Sequence, residues 1–141
     1  MREILFRGIR TDNGEWVEGY LTKRPSSVQI GCSSPWYIDV PPRDPDDAGG
    51  TYNVFPETVG QYTGLTDKNG TRIFEGDICR NIKTGEVVSV RWHGTMAGYV
   101  WSKRKDNCQN LFDFGELFRA YDKYEVIGNI YDNPELLKGG V

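Results

Sequence analysis

Three times in this chain a short polar turn containing glycine separates two runs of β-branched and aromatic residues. The turns are DNG at 12–14, DKNG at 67–70 and KTGE at 83–86. Asn and Gly accept the positive φ that tight hairpin turns demand, so each turn predicts two neighbouring antiparallel strands. Turn signals at such short spacing leave little room for long helices and point to a twisted antiparallel sheet or small barrel.

The runs themselves support this. Over residues 2–9, Ile4, Phe6 and Gly8 alternate with Leu5, Arg7 and Ile9, and EWVEGYL at 15–21 completes a first hairpin. Val54 to Tyr62 reads as a strand with Pro56 at its edge, and TRIFEGDICRNI at 71–82 resumes extended structure after the second turn. In EVVSVRWH at 86–93, Val88, Val90 and Trp92 alternate with Val87, Ser89 and Arg91, and Gly94 to Trp101 is the expected return strand. Only FGELFRAYDKY, 114–124, has a helical period, with Leu117, Phe118 and Tyr121 on one face. YEVIGNIYD at 124–132 is again strand-like, and NPELL at 133–137 offers Asn133 as a cap and Pro134 at a first helical position. PPRDPDDAGG, 41–50, combines donor-less prolines with mutually repelling carboxylates and predicts an exposed, irregular loop.

Composition sets what such a sheet can bury. Hydrophobic residues are 38% of the 141, but four Trp, eight Tyr and six Phe supply large rings that offset the shortage of aliphatics. The net charge of −3 argues against a general nucleic-acid binder, which carries a basic face. MREILFRGIR threads charges through its apolar residues without a signal-peptide core, and no apolar run reaches membrane-spanning length. A cytoplasmic protein with no membrane partner is expected.

Residues with chemical potential each have a plainer role beside them. Asp67, Glu75 and Asp77 carry carboxyls, but acid–base work needs two carboxyls in one cleft with different environments, so turn and solubility roles are expected. Gly70 is expected to complete the second turn at positive φ, and Gly76 to let the strand kink before Asp77. Asp44, Asp46 and Asp47 lack the ligand series of a calcium loop and read as a solvated segment. Cys32, Cys79 and Cys108 stand far apart without a CxxC. With His93 they make a formal four-ligand set, yet zinc sites use closely spaced pairs, so small apolar side chains are the expected role. There is no Gly-rich phosphate loop, HExxH or GxSxG, and His93 is the only histidine. No catalytic, cofactor or metal residue is assigned.

PETVGQYTGLTDKNGTRIFEGDIC (56–79) and EVIGNIYDNPELL (125–137) closely resemble the YopX family of small phage and prophage proteins, and FRGIRTDNGEWVEGYL (6–21) looks like the start of many members. Residues 22–53 and 94–118 are the variable parts. The resemblance implies an all-β, mainly antiparallel protein with one short helix. It divides into residues 1–60, an N-terminal β hairpin and sheet region with a variable loop, and residues 61–141, a region with an SH3-like small barrel. It implies residence in the bacterial host cytoplasm and no established activity.

The expected function is a non-catalytic accessory module binding an unidentified host or phage protein, with copies of the chain pairing as a homo-oligomer. The candidate partner-binding residues are Trp92, Tyr99 and Trp101 beside Lys103, Arg104 and Lys105, although core packing is the plainer role for those Trp residues and a solvated turn for the basic triplet. The alternative is single-stranded nucleic-acid binding through the same patch, with aromatic faces stacking bases and the cations meeting phosphates. A small enzyme is the third and least supported reading.

Overall fold

The computed structural model describes residues 3–24, 34–93, 98–102, 114–116 and 123–138. The chain divides into two compact units, Met1–Tyr62 and Thr63–Val141. Both are built almost wholly of antiparallel β-structure.

In the first unit, β1 (Phe6–Ile9), β2 (Trp16–Lys23), β3 (Trp36–Val40) and β4 (Gly50–Asn53) pair in the order β4-β3-β2-β1, and the start of β5 (Gly60–Thr66) pairs on the free side of β1. The DNG turn works as its chemistry demands. Gly14 sits at φ 75°, and the Arg10 N–H donates to the Glu15 carbonyl at 2.9 Å. Register then follows, with Arg7 opposite Glu18 and Ile9 opposite Trp16. Ile38 and Val54 are completely buried, with Leu5 and Tyr37 beside them in burial, while Ile4 is 57% exposed. A single bridge, Arg10 with Val54, brings the end of β4 back to β1, which is less than the continuous ladder a closed barrel requires.

The run from Val54 to Tyr62 is not one strand. Pro56–Thr58 forms a 3-10 turn before β5 begins. Pro56 has no N–H to give a ladder. Thr58 fixes the turn instead: its Oγ1 donates to the Phe55 carbonyl at 2.6 Å and accepts the Ile9 N–H at 2.9 Å.

The second unit contains β6 (Arg72–Phe74), β7 (Asp77–Asn81), β8 (Val87–His93), β9 (Gly98–Ser102), β10 (Phe114–Glu116) and β11 (Tyr124–Asn129), followed by helix α1 (Glu135–Lys138). Five of these strands form an antiparallel sheet in the order β10-β9-β8-β7-β11. No ladder among the described residues joins its two end strands, so the sheet stays open. Ile73, Cys79, Val88, Val90 and Tyr124 make one buried cluster, with Leu65 and Val126 packed against it. Burying each such aliphatic side chain contributes about 1.5–3 kcal/mol. Ser89 is buried as well, so β8 is covered on both faces at its centre.

The helix expected over 114–124 is overturned where it can be read. Phe114, Gly115 and Glu116 form β10, registered against Ser102, Trp101 and Val100 of β9, and Tyr124 opens β11. Residues 117–122 lie outside the described residues. A helical stretch of about three turns is marginal without packing, whereas a neighbouring strand edge offers backbone partners at once. The C-terminal NPELL segment does turn helical. The Leu136 N–H reaches the Asn133 carbonyl at 3.1 Å, while Asn133 Oδ1 accepts the Asn129 N–H at 3.4 Å. Among the described residues no helix is long and apolar enough to cross a membrane.

Candidate functional site

The aromatic and basic patch read from the sequence is placed only in part. Trp92, on β8, is 52% exposed, although Val88 and Val90 in the same alternation are fully buried. Core packing, the plainer role, therefore does not hold for Trp92. Tyr99 is its registered partner on β9, and Trp101 is the partner of Val90. Lys103, Arg104 and Lys105 lie outside the described residues. The structure thus brings Trp92 and Tyr99 to one register position and does not place the cations.

The two aspartates of the central signature have turn roles but not solubility roles, while Glu75 between them is half-buried. Asp67 is 5% and Asp77 1% exposed. Asp67 Oδ1 accepts the N–H groups of Asn69 and Thr71, at 2.8 and 2.9 Å, which closes the DKNG turn around Gly70 at φ 82°. Its Oδ2 accepts the Val126 N–H at 3.0 Å, beside the register shift between Val126 and Gly128 in β11. Asp77 Oδ2 accepts the Phe74 N–H at 2.7 Å across the turn that Gly76 makes at φ 92°. A buried carboxylate whose oxygens accept backbone N–H groups is held in place by them, a role in the architecture of the turns.

A different feature emerges in the first unit. An open cleft of about 440 Å³ lies where the ends of β1 to β4 meet the 41–49 loop. Arg10 contributes one wall. Its Nε and Nη2 grip Asp12 Oδ1 and Oδ2, at 2.9 and 2.7 Å, and its guanidinium carbon lies 4.1 Å from the centre of the Tyr52 ring. Trp16 adds a second aromatic surface, itself covered by Arg7 at 4.8 Å. Val17 and Val40 supply apolar lining, with Glu18 and Arg43 exposed at the rim. Two further stacks stand on the same sheet: Arg24 over Tyr37 at 5.1 Å and Lys23 over Trp36 at 5.4 Å.

The loop bordering this cleft is exposed over 41–46 and irregular, as its prolines and glycines predict. It is nevertheless tied down. Asp44 Oδ1 accepts the N–H groups of Asp46 and Asp47, at 2.9 and 3.0 Å. Asp47 Oδ1 accepts the Gly49 N–H at 2.9 Å and its Oδ2 the Arg43 N–H at 3.3 Å. Two of the three carboxylates of this run, Asp44 and Asp47, are thus bonded to backbone donors.

Electrostatics follow from these bonds. The hydrogen bond from Arg10 holds the Asp12 carboxyl below its usual value, and Asp12 in turn raises Arg10. The backbone N–H groups of Gly49 and Arg43 hold Asp47 down. Both acids are therefore fixed as anions near neutrality, and neither can act as a general acid there.

Cys79 lies buried in the second unit's core, in the small apolar role expected of it. Cys32 and Cys108 fall outside the described residues, as does the side chain of His93. Among the described residues no three His, Cys, Asp or Glu side chains are grouped to hold a metal ion. Sequence reasoning missed Arg7, Arg10, Trp16 and Tyr52. The one local signal was the Arg-x-Asp spacing of Arg10 and Asp12 at the first hairpin turn, since Tyr52 reaches Arg10 only through the fold.

A family model described as YopX protein matches residues 5–138. Among solved structures, protein EF1440 from Enterococcus faecalis is 24% identical, with 97% of this chain and 99% of that one covered at a TM-score of 0.54, a likeness of fold. No curated protein matches the chain.

Proposed function

The chain belongs to the YopX family, and from that premise we propose that it is a phage or prophage accessory protein, a non-catalytic binding module that works through protein–protein contacts in the bacterial host. One observation carries the reading. The buried carboxylates Asp67 and Asp77 are bonded to backbone N–H groups, while the first unit presents stacked aromatic and cationic side chains at its surface. Aromatic and arginine side chains are the groups that carry binding energy in protein interfaces. The open sheet of the second unit is in this reading an SH3-like small barrel. Its support is five antiparallel strands, the kink at Gly76 and the irregularity of β11, the devices by which small sheets curve.

The test is capture of a partner by immobilised protein from host cells carrying the prophage. A protein retained by the native bait and lost by both Tyr20→Ala and Trp92→Ala, whose side chains are more than half exposed, supports the reading. A bait that retains no protein yet holds single-stranded DNA with a steep salt dependence refutes it in favour of nucleic-acid binding.

A further inference from the structure

Most charged groups around the cleft of the first unit are already committed. Asp12 takes two of the Arg10 donors, and Tyr52 covers the guanidinium face. Both oxygens of Asp47 accept backbone N–H groups. Glu18 stands opposite Arg7 in the β1–β2 register and has an interaction of its own. Two lining groups remain without a side-chain hydrogen bond among the described residues: the guanidinium of Arg43, which feels the Asp47 charge only through space, and the hydroxyl of Tyr52. Val17, Val40 and Trp16 add apolar surface to the same lining.

We infer that this cleft docks an acidic side chain carried next to an aromatic one, presented by a partner polypeptide. The assignment rests on the binding-module reading above and names the chemistry that module recognises. A guanidinium offers a planar fork of donors that matches a carboxylate, and a neighbouring phenol hydroxyl can donate to the same oxygens. A ring fits against the Trp16 and valine surface, and about 440 Å³ is room for one acidic and one apolar side chain. A basic guest finds the Asp12 and Asp47 carboxylates already occupied by Arg10 and by backbone donors. The site is preformed, because the Asp44 and Asp47 bonds fix the loop that carries Arg43, and a preformed site loses less entropy on binding.

The experiment is an NMR titration of the isotopically labelled full chain with two capped dipeptides, acetyl-Phe-Asp-amide and its neutral counterpart acetyl-Phe-Asn-amide. The acidic peptide is expected to shift the Trp16 indole N–H and the Gly49 and Tyr52 amides saturably, with a Kd on the order of 1 mM for so small a fragment. It should bind about 10-fold more tightly than the neutral one. Arg43→Gln, at an exposed rim position, should erase that preference while leaving the rest of the spectrum in place. Tyr52→Phe keeps the ring over Arg10 and should weaken the acidic peptide several-fold.

Equal binding of the two peptides, a preference that survives Arg43→Gln, or no shift up to about 10 mM overturns the inference. Displacement of the peptide by inorganic phosphate overturns the carboxylate assignment, and free acetyl-phenylalanine binding as tightly as the dipeptide overturns the polypeptide guest. Failure here with a host protein still retained through Tyr20 and Trp92 leaves the binding-module reading standing. Peptide binding with no protein ever retained does the reverse.

Discussion

Asp67 and Asp77 show what a single side chain can be asked to do in a small β protein. Each sits beside a turn and turns inward, so its oxygens replace water for backbone N–H groups that the ladders leave over. Removing Asp67 orphans three donors. Asp67→Ala should lower the free energy of unfolding by about 3 kcal/mol in a urea titration, and Asp67→Asn, which keeps one acceptor oxygen, by roughly half that. An equal loss for both variants would mean the charge, not the acceptor, holds the turn. Gly70 belongs to the same turn, with φ 82° and open space where a Cβ would stand. Gly70→Ala should cost about 1 kcal/mol from backbone strain alone, with no repacking visible in spectra. The turn position of these aspartates was legible in DKNG and EGD. Their burial was not, because a carboxylate near a turn glycine reads the same whether its strand faces water or a core.

At the level of elements, the 41–49 loop and the first hairpin share a pH signature. Asp12 and Asp47 both have folded pKa values below their ordinary 3.8. Their contribution to stability is therefore fully present above that value and is lost as the pH falls through the lower folded values. Denaturant midpoints measured from about pH 5 to about pH 3 should fall, and Asp47→Asn should flatten part of that slope. A slope unchanged by the variant would remove the Asp47 bonds from the account. Gly49 is the hinge of the loop, at φ 67°, where a Cβ would lie 2.3 Å from the Val40 carbonyl oxygen. Gly49→Ala should destabilise by about 2 kcal/mol or more and shift the amides of Arg43 and Asp47, because the backbone itself must move. Local chemistry announced this loop as irregular, yet only the tertiary structure shows Asp44 and Asp47 bonded to particular N–H groups. β10 teaches the converse. The helical period of 114–124 is real, but at Phe114–Glu116 a free edge on β9 outweighs it.

For the whole molecule, strands at the ends of open sheets, such as β4 and β10, present backbone groups that invite pairing. Self-association into a closed homo-oligomer is the outcome we predict, with Ile4, Tyr20 or Trp92 among the exposed groups it covers. Light scattering across a range of concentrations checks it, and a mass fixed at 16.0 kDa would assign those side chains to a foreign partner instead. The sequence by itself determined the hairpin turns, the dominance of antiparallel strands and the family, since turn chemistry and alternation act over a few neighbouring residues. Only the tertiary structure decided which carboxylates are buried, where the expected strand breaks at Pro56, and which side chains form a cleft. Those outcomes depend on partners far apart in the chain: Asp67 and Val126 are 59 residues apart, Ile9 and Thr58 are 49. Arg10 meets Tyr52 because the Arg10–Val54 bridge brings the end of β4 back to the end of β1. No local pattern encodes such a meeting, because the hydrophobic burial that enforces it belongs to the sheet and not to either residue.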